Sequence, residues 1–381
     1  MTNEKIISMF NNFPFKGRAA KIIIAGGGTG GHIFPAIAIA NALVKIDPRT
    51  EILFIGARGK MEMEKVPQAG YKIVGIPIAG FNRSSLIKNI GLPYKLIKSF
   101  LQVRNHFISF MPDAVIGVGG YSSFPVLRFA QLKGIPTFIH EANSFAGKSN
   151  MMLAKKATRI FVASDGMEKF FPANKTMITG NPVRESIVKN SVSREEAMKF
   201  FKLRPEKKTV LSVGGSLGAR SINEALELQL EMFGQHDIQL IWQTGKDYEN
   251  KAKEIVSGKD HIYSSAFIHR MDYAYAAADV VISRAGAMAI AELCVVKKPV
   301  VFVPYPFAAE DHQTSNAKHM VEKNAGIMIS DAEAKKELVM TVINLVKDEA
   351  RQERMKENIK KLAIANADEI VAQEIIHSLN V

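Results

Sequence analysis

The feature that most constrains this chain is a unit that occurs twice: a short run of β-branched residues, a glycine loop, then a helical pattern. The first copy is residues 21–25 followed by Gly26-Gly27-Gly28-Thr29-Gly30-Gly31-His32. The second is residues 209–213 followed by Gly214-Gly215-Ser216-Leu217-Gly218-Ala219-Arg220. A strand that enters a helix through a tight loop belongs to a parallel sheet, because parallel strands need a long return connection that a helix supplies. Further strand-length apolar runs fall at 51–56, 71–76, 114–118, 137–140 and 159–163, with helical stretches between most of them. After a break near 180–190 the series continues at 239–243, 280–283 and 299–303. This order predicts an α/β protein with two similar doubly wound domains. From about residue 333 the chain reads as charged amphipathic helix.

A length of 381 residues suits two domains, and 47% hydrophobic residues suffice for two cores. Cys294 is the only cysteine, so no internal disulfide can form; this fits a reducing compartment. It lies in an apolar stretch and is expected in the core. Residues 1–20 lack a long apolar run and read as an extension rather than a secretory signal. No stretch approaches the ~18–20 apolar residues of a spanning helix, so a soluble or peripheral protein is expected. The net charge of +13 favours an anionic partner: nucleic acid, an anionic membrane or a phosphorylated substrate. With neither a zinc-finger pattern nor an aromatic RNA-binding strand motif, nucleic acid is not expected.

The loops carry the chemistry. Glycines let a backbone approach an anion, and a helix N-terminus offers N–H donors. Gly26, Gly28 and Gly31 also match G-x-G-x-x-G, the dinucleotide fingerprint. That reading needs an acidic residue at the end of the second strand. Here the strand ends Ile55-Gly56-Ala57-Arg58, where Arg58 suits only a 2′-phosphate, so the rival is weakened but stays open. A further loop is Gly117-Val118-Gly119-Gly120-Tyr121-Ser122-Ser123. Three such loops across both halves point to a phosphorylated ligand held in a cleft.

Taken together, and in this order, the stretches 26–32, 117–123, His140-Glu141-Ala142-Asn143, Gly180-Asn181-Pro182-Val183-Arg184, 214–220, Ser283-Arg284-Ala285-Gly286-Ala287 through Glu292, and His312-Gln313 through Asn316-Ala317 resemble the MurG family. Its members are UDP-N-acetylglucosamine:undecaprenyl-diphospho-muramyl-pentapeptide N-acetylglucosaminyltransferases of peptidoglycan synthesis, which links them to cell shape and division. The resemblance covers roughly residues 20–320. It implies a GT-B fold, two Rossmann-like doubly wound domains facing each other across a cleft. The division expected is an extension at 1–20, an acceptor and membrane-facing domain at 21–184, a UDP-sugar domain at 185–345, and C-terminal helices at 346–381 packing back towards the first domain. It also implies an inverting transfer without metal or other cofactor, and the chain has no Asp-x-Asp motif. A UDP-N-acetylglucosamine epimerase or another lipid glycosyltransferase is the alternative.

By the same resemblance, Glu292 binds both ribose hydroxyls of UDP, a task suited to a carboxylate with two acceptor oxygens. Arg184 meets the diphosphate with a forked guanidinium, and Ser216 meets it from the third loop. Ile268 contacts uracil through its backbone, while Ala287, Met288, Ala289, Ile290, Ala291 and Gln313 line the sugar-nucleotide pocket. Family members often carry Thr and Ser where this chain has Ala289 and Ala291, which leaves only backbone contacts there. His32 is the expected base for the acceptor hydroxyl, because imidazole titrates in the right range. Glu141 is the alternative base. Thr29, Gly30, Gly31 and Asn143 hold the transferred sugar or the acceptor diphosphate. The expected substrates are UDP-N-acetylglucosamine and a polyprenyl-diphosphate-linked muramyl-pentapeptide. Between residues 81 and 110, Phe81, Leu86, Ile87, Ile90, Leu92, Leu96 and Phe100 alternate with Arg83, Lys88, Lys95, Lys98 and Arg104. An apolar patch with a basic rim suits an anionic membrane surface, so the enzyme is expected as a peripheral protein on the cytoplasmic face.

Overall fold

The computed structural model of the chain describes residues 18–78, 91–215 and 218–379. Contacts divide it into two units: the chain up to Pro182 together with the return from Asn366, and Val183–Ala365.

The first unit is a seven-stranded sheet of β1 (Lys21–Ala25), β2 (Glu51–Ala57), β3 (Lys72–Ile76), β4 (Ala114–Gly117), β5 (Thr137–Glu141), β6 (Arg159–Val162) and β7 (Thr176–Ile178). The order is β3-β2-β1-β4-β5-β6-β7 and every pair is parallel. Helices α1 (Gly30–Ile46), α2 (Glu62–Gln68), α3 (Leu92–Phe110), α4 (Ser123–Leu132) and α5 (Lys148–Ala154) lie between the strands. The strand β1 is an unbroken apolar run because both its faces are covered. Ile22 and Ile24 pack with Ile33, Ile39 and Leu43 of α1, whereas Ile23 and Ala25 pack with Val126 and Leu127 of α4.

The second unit holds α6 (Glu185–Val188), α7 (Arg194–Phe201), β8 (Thr209–Val213), α8 (Arg220–Leu228), α9 (Glu231–Gln235), β9 (Gln239–Gln243), α10 (Glu249–Ile255), β10 (Ile262–Ser265), α11 (Met271–Ala277), β11 (Val280–Ser283), α12 (Ala287–Val296), β12 (Val300–Phe302), α13 (His312–Glu322), β13 (Ile327–Met328), α14 (Ala334–Lys347) and α15 (Glu349–Leu362). Its six strands run β10-β9-β8-β11-β12-β13, again all parallel. Cys294 is buried in its core, where burial pushes the thiol up to about 12.

Of the segment 346–381, α15 packs in the second unit through Met355 and Ile359. Only the last helix, α16 (Ala367–Leu379), joins the first unit. There Val371, Ile375 and Ile376 share a core with Ile22 and α1. Lys45–Glu369 at 2.7 Å and Arg159–Glu374 at 2.9 Å pair at its rim. The unit boundary therefore falls at Pro182/Val183, two residues before the predicted one.

In both units the strand order reverses beside the first strand, between β1 and β4 and between β8 and β11. Loops leaving the carboxyl ends of two such strands diverge to opposite faces and leave a crevice for a ligand. The predicted glycine loops sit at these two points. Strands β7, β10 and β13 were not anticipated; a run as short as Ile327–Met328 carries no readable period. The helix α1 begins at Gly30, earlier than Pro35 signals, so Gly30, Gly31 and His32 form its first turn.

Candidate functional site

In the first unit the loops after β1 and β4 pack against each other. Gly27 N donates to Gly119 O at 3.4 Å, and within the second loop Ser123 Oγ donates to Gly120 O at 2.7 Å. The His32 ring lies on the second loop: a Cβ built on Gly119 would stand 2.7 Å from His32 Cδ2. His32 Nδ1 is 3.1 Å from Gly27 O and 3.3 Å from Thr29 Oγ1. A carbonyl only accepts, so the bond to Gly27 places the hydrogen on Nδ1 and makes Nε2 the basic nitrogen. Thr29 is exposed at the mouth of α1, whose first-turn residues Gly30, Gly31 and His32 are half-buried, and no acidic residue stands in that turn.

Two buried carboxylates hold loops of this unit, Glu141 the one after β5 and Glu62 the one after β1. The reading of Glu141 as a general base meets a different geometry. Its Oε1 accepts from Asn143 N (3.1 Å) and Asn143 Nδ2 (3.3 Å), and its Oε2 from Gly147 N (2.9 Å) and Asn150 Nδ2 (2.8 Å). At 4% exposure with four donors, it is built to fix the β5–α5 loop and to present Asn143. The second carboxylate, Glu62, was not singled out from sequence. It is 1% exposed, and accepts from Gly28 N at 2.8 Å and from Ala57 N at 2.9 Å. Gly27, at φ +143°, must be glycine, since a Cβ there would fall 2.4 Å from the Glu62 carboxyl.

This arrangement also bears on the dinucleotide reading. Glu62 places a negative charge under the loop and takes the Gly28 N–H that a pyrophosphate would use. Arg58 Nε is tied to Gly75 O at 2.8 Å. Behind the loops His140 is fully buried, its Nε2 3.5 Å from Gly180 O and its Nδ1 without a hydrogen-bond partner among the described residues. Burial holds its pKa down at about 4, so it stays neutral.

In the second unit Arg184 and Glu292, 108 residues apart, meet in a two-pronged ion pair. Nε to Oε1 is 2.8 Å and Nη2 to Oε2 is 3.0 Å. The buried Tyr275 hydroxyl donates to Glu292 Oε2 at 3.1 Å. Burial, then the Glu292 charge, holds the Tyr275 phenol well above its ordinary range and keeps it a donor. Ala287, Met288, Ala289, Ile290 and Ala291 form the half-buried opening of α12, ahead of Glu292. The Ile268 N–H is already given to Gln243 Oε1 at 3.0 Å, so any backbone contact to a base falls to its carbonyl. Gln243 in turn donates to Gly215 O at 2.9 Å, linking the third glycine loop to Ile268. Gln313 Oε1 accepts from Tyr305 N at 3.0 Å. Ser216 lies outside the described residues. Each unit thus gathers its own group: Thr29, Gly30, Gly31, His32, Glu141 and Asn143 in one, and Arg184, Ile268, residues 287–292 and Gln313 in the other.

The patch expected between 81 and 110 falls partly outside the described residues, including Phe81, Arg83, Leu86, Ile87, Lys88 and Ile90. On α3, Leu92, Leu96 and Phe100 are half-buried. The outward stripe is instead Tyr94, Ile97, Leu101 and Ile108, each 58–67% exposed, with Lys95, Lys98 and Arg104 exposed beside it. Among the described residues no helix is long and apolar enough to cross a membrane.

Residues 22–162 match the glycosyltransferase family 28 N-terminal domain, and residues 209–371 match the C-terminal domain of that family. A protein of Parabacteroides distasonis, named UDP-N-acetylglucosamine--N-acetylmuramyl-(pentapeptide) pyrophosphoryl-undecaprenol N-acetylglucosamine transferase, is 52% identical. The match covers 94% of this chain and 98% of that protein. A Bacteroides fragilis protein of the same name is 49% identical over 96% of this chain and 97% of its own length. Among solved structures, Acinetobacter baumannii MurG superimposes with a TM-score of 0.77 at 27% identity, over 93% of this chain and 99% of that one.

Proposed function

Because the chain belongs to the MurG family, within glycosyltransferase family 28, we propose that it transfers N-acetylglucosamine from UDP-N-acetylglucosamine to the muramyl sugar of undecaprenyl-diphospho-muramyl-pentapeptide. The observation that carries this reading is the agreement, at about half of all positions and over nearly the whole chain, with relatives named for that transfer. Two parallel α/β sheets of GT-B type supply the scaffold, and peptidoglycan precursor synthesis is the process served.

The second unit takes the donor. Glu292 accepts from the ribose diol, Arg184 and the Ser216 loop take the diphosphate, the Ile268 carbonyl meets uracil, and Gln313 meets the sugar. Alanines at 289 and 291 offer no hydroxyls, so α12 contributes its first-turn N–H groups. The first unit takes the acceptor, through Thr29, Gly30, Gly31 and Asn143. The acceptor hydroxyl attacks the anomeric carbon and gives its proton to His32 Nε2. The bond to the β-phosphate oxygen breaks, and the electron pair leaves with UDP, so the configuration inverts. Arg184 and the loop N–H groups carry the leaving charge without metal, since oriented donors stabilise charge well where water is excluded. His32 is preferred over Glu141 as base, because all four Glu141 contacts go to its own loop and the first turn of α5. The exposed stripe of α3 and its lysines support docking on an anionic bilayer, where the polyprenyl tail stays.

The test is transfer of labelled sugar from UDP-N-acetylglucosamine to the lipid-linked muramyl acceptor. Product and stoichiometric UDP are expected. Conversion of the donor to its 2-epimer with no transfer, or no turnover with either substrate bound, would overturn the reading.

A further inference from the structure

We propose that Glu62 is a positioning residue for the transfer: through the first glycine loop, it holds His32 in the tautomer that can accept the acceptor's proton. The inference rests on His32 being the base. The chain of contacts is short. Glu62 opens α2, buried and charged, and its two oxygens take the N–H groups of Gly28 and Ala57. A buried carboxylate is costly unless such donors satisfy it, and once satisfied it resists displacement. It thereby ties the glycine loop to the end of β2. Gly27 packs directly on the carboxyl, and a Cβ on Gly56 would also fall 2.5 Å from its Cγ. The carbonyl of that same Gly27 accepts from His32 Nδ1. On the other side Gly120 closes on Gly27 O, where a Cβ would stand at 2.5 Å. The carbonyl is thus fixed from both directions, and the ring's hydrogen is fixed with it.

A backbone carbonyl on a three-glycine loop would otherwise be free to rotate. Turning away from Nδ1, it would release the hydrogen to either ring nitrogen and lower the fraction of rings ready to act at Nε2. Orientation of a catalytic histidine by the group at its other nitrogen is a general device, and here that group is a carbonyl whose own placement depends on Glu62. The Tyr121 phenol of the second loop is pushed up by burial and by the Glu62 charge, which places that carboxylate within electrostatic reach of both loops.

The experiment is a double-mutant cycle on the full-length enzyme, with UDP-N-acetylglucosamine and a short-chain lipid-linked acceptor, using Glu62→Gln, His32→Ala and the double variant. Glu62→Gln keeps the shape but loses one acceptor oxygen. It is expected to lower kcat on the order of 10²-fold, as small misplacements at reacting centres do, with UDP affinity unchanged. The double variant is expected to be no slower than His32→Ala alone, since Glu62 acts through that ring. Wild-type kcat in Glu62→Gln, or losses that multiply in the double variant, would overturn the inference. His32→Ala with wild-type turnover would instead remove the base assignment, and Glu62 would have no base to position. Ring-nitrogen NMR of the wild-type enzyme adds a test that needs no variant to fold: His32 should carry its hydrogen on Nδ1, and a ring protonated only on Nε2 contradicts the inference.

Discussion

Replacing Glu292 by alanine separates the nucleotide-binding role proposed for this carboxylate from its structural one. Its side chain is 9% exposed and is held by Arg184, whose own side chain is 39% exposed, and by Tyr275. Two hydrogen bonds from ribose hydroxyls to a charged acceptor stabilise by about 1.5–3 kcal/mol each before costs. The bound nucleotide must share or displace Arg184, and a pair this exposed to solvent returns only about 1 kcal/mol or less. The net loss of UDP affinity in Glu292→Ala should be about 1–3 kcal/mol, or roughly 5–150-fold in Kd. Stability should also fall, since the Tyr275 hydroxyl keeps its burial and loses its acceptor, at about 1–3 kcal/mol. For a unit of this size that lowers the melting temperature by roughly 2–4 °C per kcal/mol. Calorimetric titration with both UDP and uridine is the assay. Glu292→Ala should weaken both ligands alike, because both carry the ribose diol. Arg184→Ala should weaken UDP and spare uridine, because only UDP carries the diphosphate. A folded Glu292→Ala protein that binds UDP within twofold of wild type would refute the assignment and leave the ion pair a purely structural one.

Four other outcomes are expected. Replacing Lys95, Lys98 and Arg104 by glutamate should reduce binding to anionic vesicles and transfer to a long-chain acceptor, while a short-chain soluble acceptor is spared; each lost charge removes on the order of 1 kcal/mol of attraction. Normal vesicle binding by this variant would place the docking surface elsewhere. Turnover should persist in excess EDTA, and loss restored by magnesium or manganese would contradict metal-free departure of UDP. His140 is neutral when folded, with a pKa near 4, and should protonate in the unfolded chain near the ordinary value of about 6.5. The unfolded state therefore binds more protons between those values. Stability should fall as pH drops through that window, by up to about 3 kcal/mol. Denaturant melts at stepped pH check this, and an unchanged slope in a folded His140→Phe protein would exclude His140 as its source. Cys294, its thiol pushed up to about 12 by burial, should resist thiol reagents until the protein unfolds; rapid labelling of the native protein would show that the core around it opens readily.

The repeated α/β plan, and the turns that carry the proposed site residues, are legible along the chain alone. A parallel strand buried on both faces must be a continuous apolar run such as Ile22-Ile23-Ile24, and a tight strand-to-helix turn must be made of glycine, so both leave local marks. His32 stands out as a candidate because it lies inside such a turn, and Glu292 because it follows the Ala285-Gly286-Ala287 turn. What these groups touch depends on contacts between segments distant along the chain. Glu62 reads along the chain as one charge among several in Met61-Glu62-Met63-Glu64-Lys65, and becomes the floor of the glycine loop only because β1 and β2 lie side by side. Arg184 reaches Glu292 from 108 residues away and Tyr275 from the preceding helix, and Glu141 holds its own loop. The stripe of α16 shows that one face is buried, but not that it is buried on α1 rather than in the second unit. Periodicity records which side of an element avoids water, since that is a property of neighbouring residues. The identity of the partner is a long-range choice, made by the packing of the whole chain.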